Sequence, residues 1–161
     1  MKRLILLLSA LALILALVPA GMVQAKKPAP KLACTIVYWW AGDHWEGTVS
    51  GDIEGDIVWP PGPEPMRFAG QTSHYEGRFE IYDSDTGEFL MAGEGAGSTT
   101  VRHGKNSVWR SSGTVTDACE ELEDWIGRRV YQDGHFTWQN IGTPEDPIII
   151  PLEGSGTFRV N

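Results

Sequence analysis

Aromatic side chains are the residues of this sequence best suited to a functional role. Six of them fall on the apolar side of proposed β-strands: Trp59, Tyr75, Phe79, Trp109, Phe136 and Trp138. In a small β-barrel such residues fill the interior or, if the barrel is wide enough, line a pocket for one small apolar ligand. In the second case Trp109 and Trp138 form flat walls, and Tyr75 or a histidine supplies a polar group.

A second aromatic cluster surrounds the first predicted turn, in the segment YWWAGDHW. It consists of Tyr38, Trp39, Trp40 and Trp45. If these rings are exposed and coplanar at the rim of the barrel, they can stack on the rings of a sugar. The sequence therefore also allows a carbohydrate-binding surface.

Three carboxylates alternate with other residues in the segment GDIEGD: Asp52, Glu54 and Asp56. In a single strand they share one face, with successive side chains about 7 Å apart. They can then bridge a calcium ion if another strand supplies more oxygens. A solvated outer face explains them more simply, and no two histidines have the spacing of a metal pair. We therefore predict no metal and no cofactor.

The sequence has none of the common enzyme signatures. There is no glycine-flanked nucleophilic serine elbow of the G-x-S-x-G type, no phosphate-binding glycine loop, no paired-histidine zinc motif and no Cys-x-x-Cys. Because catalytic groups need not be adjacent in sequence, this argues against an enzyme without excluding one. No catalytic residue can be named.

The N-terminal segment has the pattern of a secretory signal peptide. Lys2 and Arg3 precede the apolar run Leu4–Val18, and Val23-Gln24-Ala25 forms a small-residue cleavage site. We expect residues 1–25 to be removed, although a retained membrane anchor is the alternative. A linker over 26–31 and a single domain over 32–161 would follow, in a secreted or periplasmic protein.

The charge of the chain limits its partners. The formal net charge is −8, and it becomes −10 without the signal peptide because two basic residues are lost. An acidic surface repels phosphate groups, so nucleic acid and anionic membrane surfaces are disfavoured as partners. After cleavage we expect no stable membrane insertion. The oligomeric state cannot be read from the sequence.

The chain contains two cysteines, Cys34 and Cys119. In an oxidising compartment a single disulfide between them is the simplest prediction. It would join the first strand to the start of the only predicted helix. Two free thiols, one of them catalytic, are the alternative.

The elements that position these residues are mostly short β-strands. Gly47, Gly51 and Gly55 recur at every fourth residue of WEGTVSGDIEGDIVW, on the inward side of one proposed strand, Trp45–Trp59. Repeated glycine on one face indicates a strongly coiled strand. With one short helix between Asp117 and Gly127, the pattern predicts an all-β fold: a small, closed, antiparallel barrel of about eight strands. A sandwich is the alternative.

The glycine and hydrophobic patterns also resemble a known family. The segments GTVSGDIEGDIVW, YDSDTGEFLMAGEG, SSGTVTDA, WIGRRVYQDGHF and GSGTFRV, between residues 45 and 160, are similar to the calycin-like barrels of the allene oxide cyclase type. Many exported prokaryotic proteins share this pattern. The resemblance implies a closed barrel with a largely apolar cavity, and cyclase activity in some members. It assigns no catalytic residue to this chain.

Three functions follow from these observations. The first is an exported, acidic, non-catalytic barrel that binds a small apolar or amphipathic molecule or serves as an interaction module. The second is a cyclase- or isomerase-like enzyme with an apolar cavity, which needs hydrogen-bonding or ionisable groups inside the barrel. The third is a carbohydrate-binding module, which needs coplanar exposed tryptophans.

Overall fold

A computed structural model describes residues 31–61, 67–69, 72–100, 107–140, 142–146 and 149–161. The predicted signal peptide and all of the predicted linker except Lys31 lie outside these residues. Within these ranges the fold consists of nine strands and one 3-10 helix, Glu120–Trp125. The strands are β1 (Leu32–Trp40), β2 (Trp45–Gly51), β3 (Gly55–Trp59), β4 (Arg67–Ala69), β5 (Thr72–Tyr82), β6 (Phe89–Thr100), β7 (Ser107–Ala118), β8 (Arg129–Asn140) and β9 (Ile149–Val160).

The strands form one closed antiparallel barrel. Their order is β3-β2-β1-β9-β8-β7-β6-β5, and pairing of β3 with β5 closes an eight-stranded ring. β4 pairs with β5 beside the point of closure. Apart from this addition, each strand pairs with its neighbours in the chain, and β1 pairs with β9. The predicted all-β barrel is confirmed.

Side chains alternate between the interior and solvent along the strands, as the pleat of a β-strand requires. β1 shows this most clearly, since Leu32, Cys34, Ile36 and Tyr38 are buried and the residues between them are exposed. One end of the barrel, called the filled end below, is packed with aliphatic side chains. They are Leu32, Ile57, Ile81, Met91, Val115 and Val160.

The short helix closes the filled end. Its Leu122 and Trp125 pack against the buried core, as does Ile53 from the turn after β2. Asp117, the predicted helix cap, instead accepts a hydrogen bond from the backbone N–H of Ala118 at 2.9 Å. Among the described residues, no helix is both long and apolar enough to cross a membrane.

The predicted strand Trp45–Trp59 is broken, and this corrects the placement of the acidic residues. β2 ends at Gly51, whose φ of 145° lies in the region that favours glycine. Asp52 lies in the turn that follows, where its carboxylate accepts a hydrogen bond from the backbone N–H of Ala33 at 2.8 Å. Glu54 is also in this turn, so it does not share a strand face with Asp56.

The predicted disulfide is absent, because both cysteines are free. Cys34 is buried on β1, and its Sγ donates to the backbone carbonyl of Ile53 at 3.7 Å. Cys119 precedes the helix, where its backbone N–H bonds to the carbonyl of Leu90 at 2.9 Å. The two residues are thus held by separate contacts. Burial raises the pKa of the Cys34 thiol, so the thiol stays protonated at neutral pH.

Candidate functional site

The end of the barrel opposite the filled end encloses a cavity of about 390 Å³. This part of the barrel is called the open end below. Five of the six residues predicted to face the interior line the cavity: Trp59, Tyr75, Phe79, Trp109 and Phe136. The side chain of the sixth, Trp138, lies outside the described residues.

A row of three glycines leaves one wall of the cavity without side chains. The strand register places Gly77 of β5 opposite Gly95 of β6, and Gly95 opposite Gly113 of β7. A Cβ atom added at Gly77 would meet nothing within 4 Å, since it would project into the cavity. At Gly113 an added Cβ would lie 2.1 Å from the backbone oxygen of Glu94. This row creates the space and permits the close approach of β6 and β7.

Elsewhere in the barrel, aromatic rings cover the inward glycines. Tyr38 pairs with Gly47 on one side and Gly154 on the other, and a Cβ at Gly154 would lie 2.5 Å from the Tyr38 ring. A Cβ at Gly134 would lie 2.7 Å from Nε1 of Trp109. At these positions glycine makes room for a ring, whereas at Gly77 it makes room for the cavity.

Tyr38 is the centre of the aromatic wall. Its ring packs edge-to-face against Trp45 at 5.3 Å, Trp59 at 6.0 Å and Trp109 at 5.5 Å between ring centroids. Edge-to-face packing is favourable because the positive edge of one ring meets the negative face of the other. These contacts hold the rings in fixed positions before any ligand arrives.

The second predicted aromatic cluster does not form a flat surface. Trp40 and Trp45 both line the cavity with Tyr38, and their rings meet at 75°. Trp39 points outward, with 41% of its surface exposed. Stacking on a sugar needs coplanar exposed rings, and this geometry is not found among Tyr38, Trp39, Trp40 and Trp45.

Two of the inward indole N–H groups of the wall have protein partners, those of Trp59 and Trp109. Trp109 Nε1 donates to the hydroxyl of Tyr38, which donates to the backbone carbonyl of His135 at 2.9 Å. Trp59 Nε1 donates to Oε1 of Gln132 at 3.0 Å. Burial raises the pKa of Tyr38, so its hydroxyl remains protonated and can make the bond to His135.

Polar side chains form a row across the cavity wall next to the glycine row. The register pairs Tyr75 with Gly97, Gly97 with Ser111, and Ser111 with Gln132. Tyr75 and Ser111 are hydrogen-bonded, and burial raises the pKa of Tyr75. This group, called the polar row below, consists of Tyr75, Ser111 and Gln132.

Tyr75 was predicted from the sequence, whereas the other two members of the polar row, Ser111 and Gln132, were not. Gln132 is 4% exposed, yet it is a polar residue that the hydrophobic pattern alone does not single out. One signal in the sequence does indicate that Gln132 faces inward. It lies two residues from Val130 and four from Phe136, which are buried on the same strand, and even spacing places all three on one face.

One group of charged residues at the cavity lies in the turn between β1 and β2. His44 is held between the carboxylates of Asp43, at 2.5 Å, and Glu46, at 3.0 Å. Its hydrogen bonds to Asp43 and then Glu46 raise the pKa of His44. Asp43 and His44 both line the cavity, so they mark its rim.

The inward positions of the cavity wall carry no formal charge among the described residues. Glu76, Arg78 and Glu94 border the cavity as neighbours of the inward glycines, but they occupy the outward positions of β5 and β6. Arg78 is paired with Glu80 at 2.8 Å and with Glu94 at 3.8 Å. In the part of the chain that the structure describes, no group of three His, Cys, Asp or Glu side chains could hold a metal ion.

Comparison of the chain with protein-family models, with curated proteins and with solved structures finds no match. The closed barrel agrees with the fold that the sequence resemblance implies.

Proposed function

We propose that this chain binds one small apolar or amphipathic molecule in the cavity at the open end of the barrel. The observation that carries this proposal is a preformed cavity of about 390 Å³, walled by aromatic rings. Small-molecule sites are concave, mostly apolar and usually formed before the ligand binds, with volumes of roughly 300–1,000 Å³. The cavity meets each of these conditions.

The packing of the wall favours binding for a second reason. Tyr38, Trp45, Trp59 and Trp109 hold one another edge-to-face, and the two hydrogen bonds from the indoles fix their orientation. Side chains that are already ordered lose little entropy when a ligand binds. The binding free energy therefore comes from burial of the ligand without a large cost of arranging the site.

The second proposal is that the chain is a cyclase-like enzyme and is related to the allene oxide cyclase-type barrels. Tyr38 and Tyr75 are the ionisable inward residues of the cavity wall among those described, and burial raises the pKa of both. Tyr75 can donate a hydrogen bond to a substrate, whereas the O–H of Tyr38 already donates to the carbonyl of His135, and at neutral pH neither acts as a base. Binding without catalysis therefore has the stronger support.

Filling the cavity from its bare wall tests the proposal. Gly77→Leu adds a side chain where a Cβ meets nothing within 4 Å, and the backbone there needs no positive φ. Ala96→Leu is the matched control, because it adds the same side chain at an exposed position of β6. Binding of the apolar ligand 2-isopropylnaphthalene is measured by isothermal titration calorimetry, with the protein in the syringe.

We expect binding to the wild type and to Ala96→Leu, and binding weakened at least roughly tenfold in Gly77→Leu because the added side chain occupies the cavity. Thermal unfolding of each variant checks that all three proteins are folded. Absence of binding to the folded wild type, or equal binding to Gly77→Leu, would contradict the proposal. Native mass spectrometry of protein from its natural host should also reveal a retained small molecule.

A further inference from the structure

The cavity wall also indicates what kind of molecule it accepts. We infer that the ligand is uncharged and carries a hydrogen-bond acceptor, such as a carbonyl oxygen, which meets the side-chain amide of Gln132. This inference rests on the proposed function and specifies the ligand class for the same site. The charge of the cavity wall and the Gln132 amide support it in turn.

The inward positions of the described cavity wall carry no charge, which disfavours a buried ionic head group. A carboxylate or ammonium group placed among these residues would lose its hydration without gaining an ion pair, which is costly. Arg78, the nearest cation on β5, faces outward and is already paired with Glu80 and Glu94. At the rim, His44 lies between two carboxylates, so an anionic head group meets repulsion there as well.

Gln132 supplies an amide donor group for a ligand acceptor, beside the hydroxyls of Tyr75 and Ser111, which are hydrogen-bonded to each other. It is 4% exposed, lines the cavity and has its oxygen engaged by the indole N–H of Trp59 at 3.0 Å. That bond fixes which end of the amide is the acceptor, so the NH₂ end is the donor. A carbonyl or ether oxygen is the complementary group on a ligand.

Three ligands of nearly the same shape separate these properties. They are 2-acetylnaphthalene, which has a carbonyl acceptor, 2-isopropylnaphthalene, which is apolar, and 2-naphthoate, which is an anion at neutral pH. Each is titrated by calorimetry into the wild type and into Gln132→Met, which keeps the approximate volume of the side chain and removes its amide. Thermal unfolding confirms that the variant is folded.

We expect Gln132→Met to weaken the binding of 2-acetylnaphthalene about tenfold, which corresponds to the loss of one hydrogen bond in a dry site. The affinity for 2-isopropylnaphthalene should change by no more than about twofold. In the wild type, 2-naphthoate should bind at least roughly tenfold more weakly than either neutral ligand. Gln132→Met also removes the acceptor of the Trp59 indole N–H. Trp59→Phe is the control for this loss, because it removes the indole and keeps the Gln132 amide, and it should preserve the preference for the ketone.

The outcomes distinguish the inference from the proposed function. Equal losses for the ketone and the apolar ligand in Gln132→Met, or tightest binding of 2-naphthoate, would overturn the inference and leave the binding site in place. Failure of all three ligands to bind would overturn the proposed function itself. If Gln132→Met does not fold, the order of the three affinities in the wild type still decides whether the site accepts an anion.

Discussion

The filled end and the open end of this barrel are built from the same strands but differ in what faces inward. At the filled end, aliphatic side chains such as Ile57, Ile81 and Met91 are completely buried. At the open end, the inward positions alternate between large aromatic rings and the glycine row Gly77, Gly95 and Gly113. Medium-sized side chains fill a small barrel evenly, whereas a mixture of very large and absent side chains leaves a cavity.

The comparison also shows that an inward glycine has two different roles in one barrel. At Gly154 the ring of Tyr38 lies over the glycine, and the space is used for packing. At Gly77 no neighbour occupies that space. Whether a glycine supports the core or creates a site thus depends on the residues of the adjacent strands.

The largest expected effect comes from deleting a ring at the filled end. Phe158 is completely buried and packs edge-to-face on Phe79 at 5.3 Å between ring centroids. Phe158→Ala should lower the free energy of unfolding by about 3–5 kcal/mol, because it removes buried surface and leaves a void. Trp40→Ala, at the half-buried rim of the open end, should cost only about 1–2 kcal/mol. Urea denaturation measures both, and similar losses would show that the ends are equally well packed.

A smaller difference in stability is expected between alanine substitutions at two members of the glycine row, Gly113 and Gly77. Gly113→Ala places its Cβ 2.1 Å from the backbone oxygen of Glu94, so the strands must shift, at a cost of about 1–3 kcal/mol. Gly77→Ala meets nothing and should be neutral or stabilising by about 0.5–1 kcal/mol. Thermal unfolding of the two variants provides the comparison. Equal destabilisation would mean that Gly77 does not face open space.

The smallest effect concerns the charges at the rim. Because the bonds to Asp43 and Glu46 raise the pKa of His44, protonated His44 favours the folded state. This contribution to stability should be complete below the unfolded-state value of about 6.5 and should disappear as the pH rises through the folded-state pKa. An NMR titration should show the pKa of His44 falling in Asp43→Asn and unchanged in Asp85→Asn. A wild-type pKa at or below 6.5 would contradict this arrangement.

Local patterns in the sequence were sufficient to predict the barrel and most of its inward residues. Because side chains alternate along a strand, residues such as Trp59, Phe79 and Trp109 could be assigned to the interior without knowing which strands are neighbours. The break at Gly51 was missed, since the alternation of apolar residues continues through the turn. The carboxylate of Asp52 accepts a backbone hydrogen bond in this turn, which the alternation does not indicate. Gln132 was missed because burial of a polar residue depends on a partner from another strand, here Trp59.

The sequence by itself therefore determined the strands, their inward faces and the acidic character of the surface, because these depend on residue type and local spacing. The tertiary structure decided which glycines remain uncovered, that Cys34 and Cys119 are free, and that Tyr38, Trp40 and Trp45 turn toward the cavity instead of forming an exposed surface. These features depend on strand register, which places residues far apart in the chain opposite one another. The cavity is a product of that register: three glycines from three strands meet in one row.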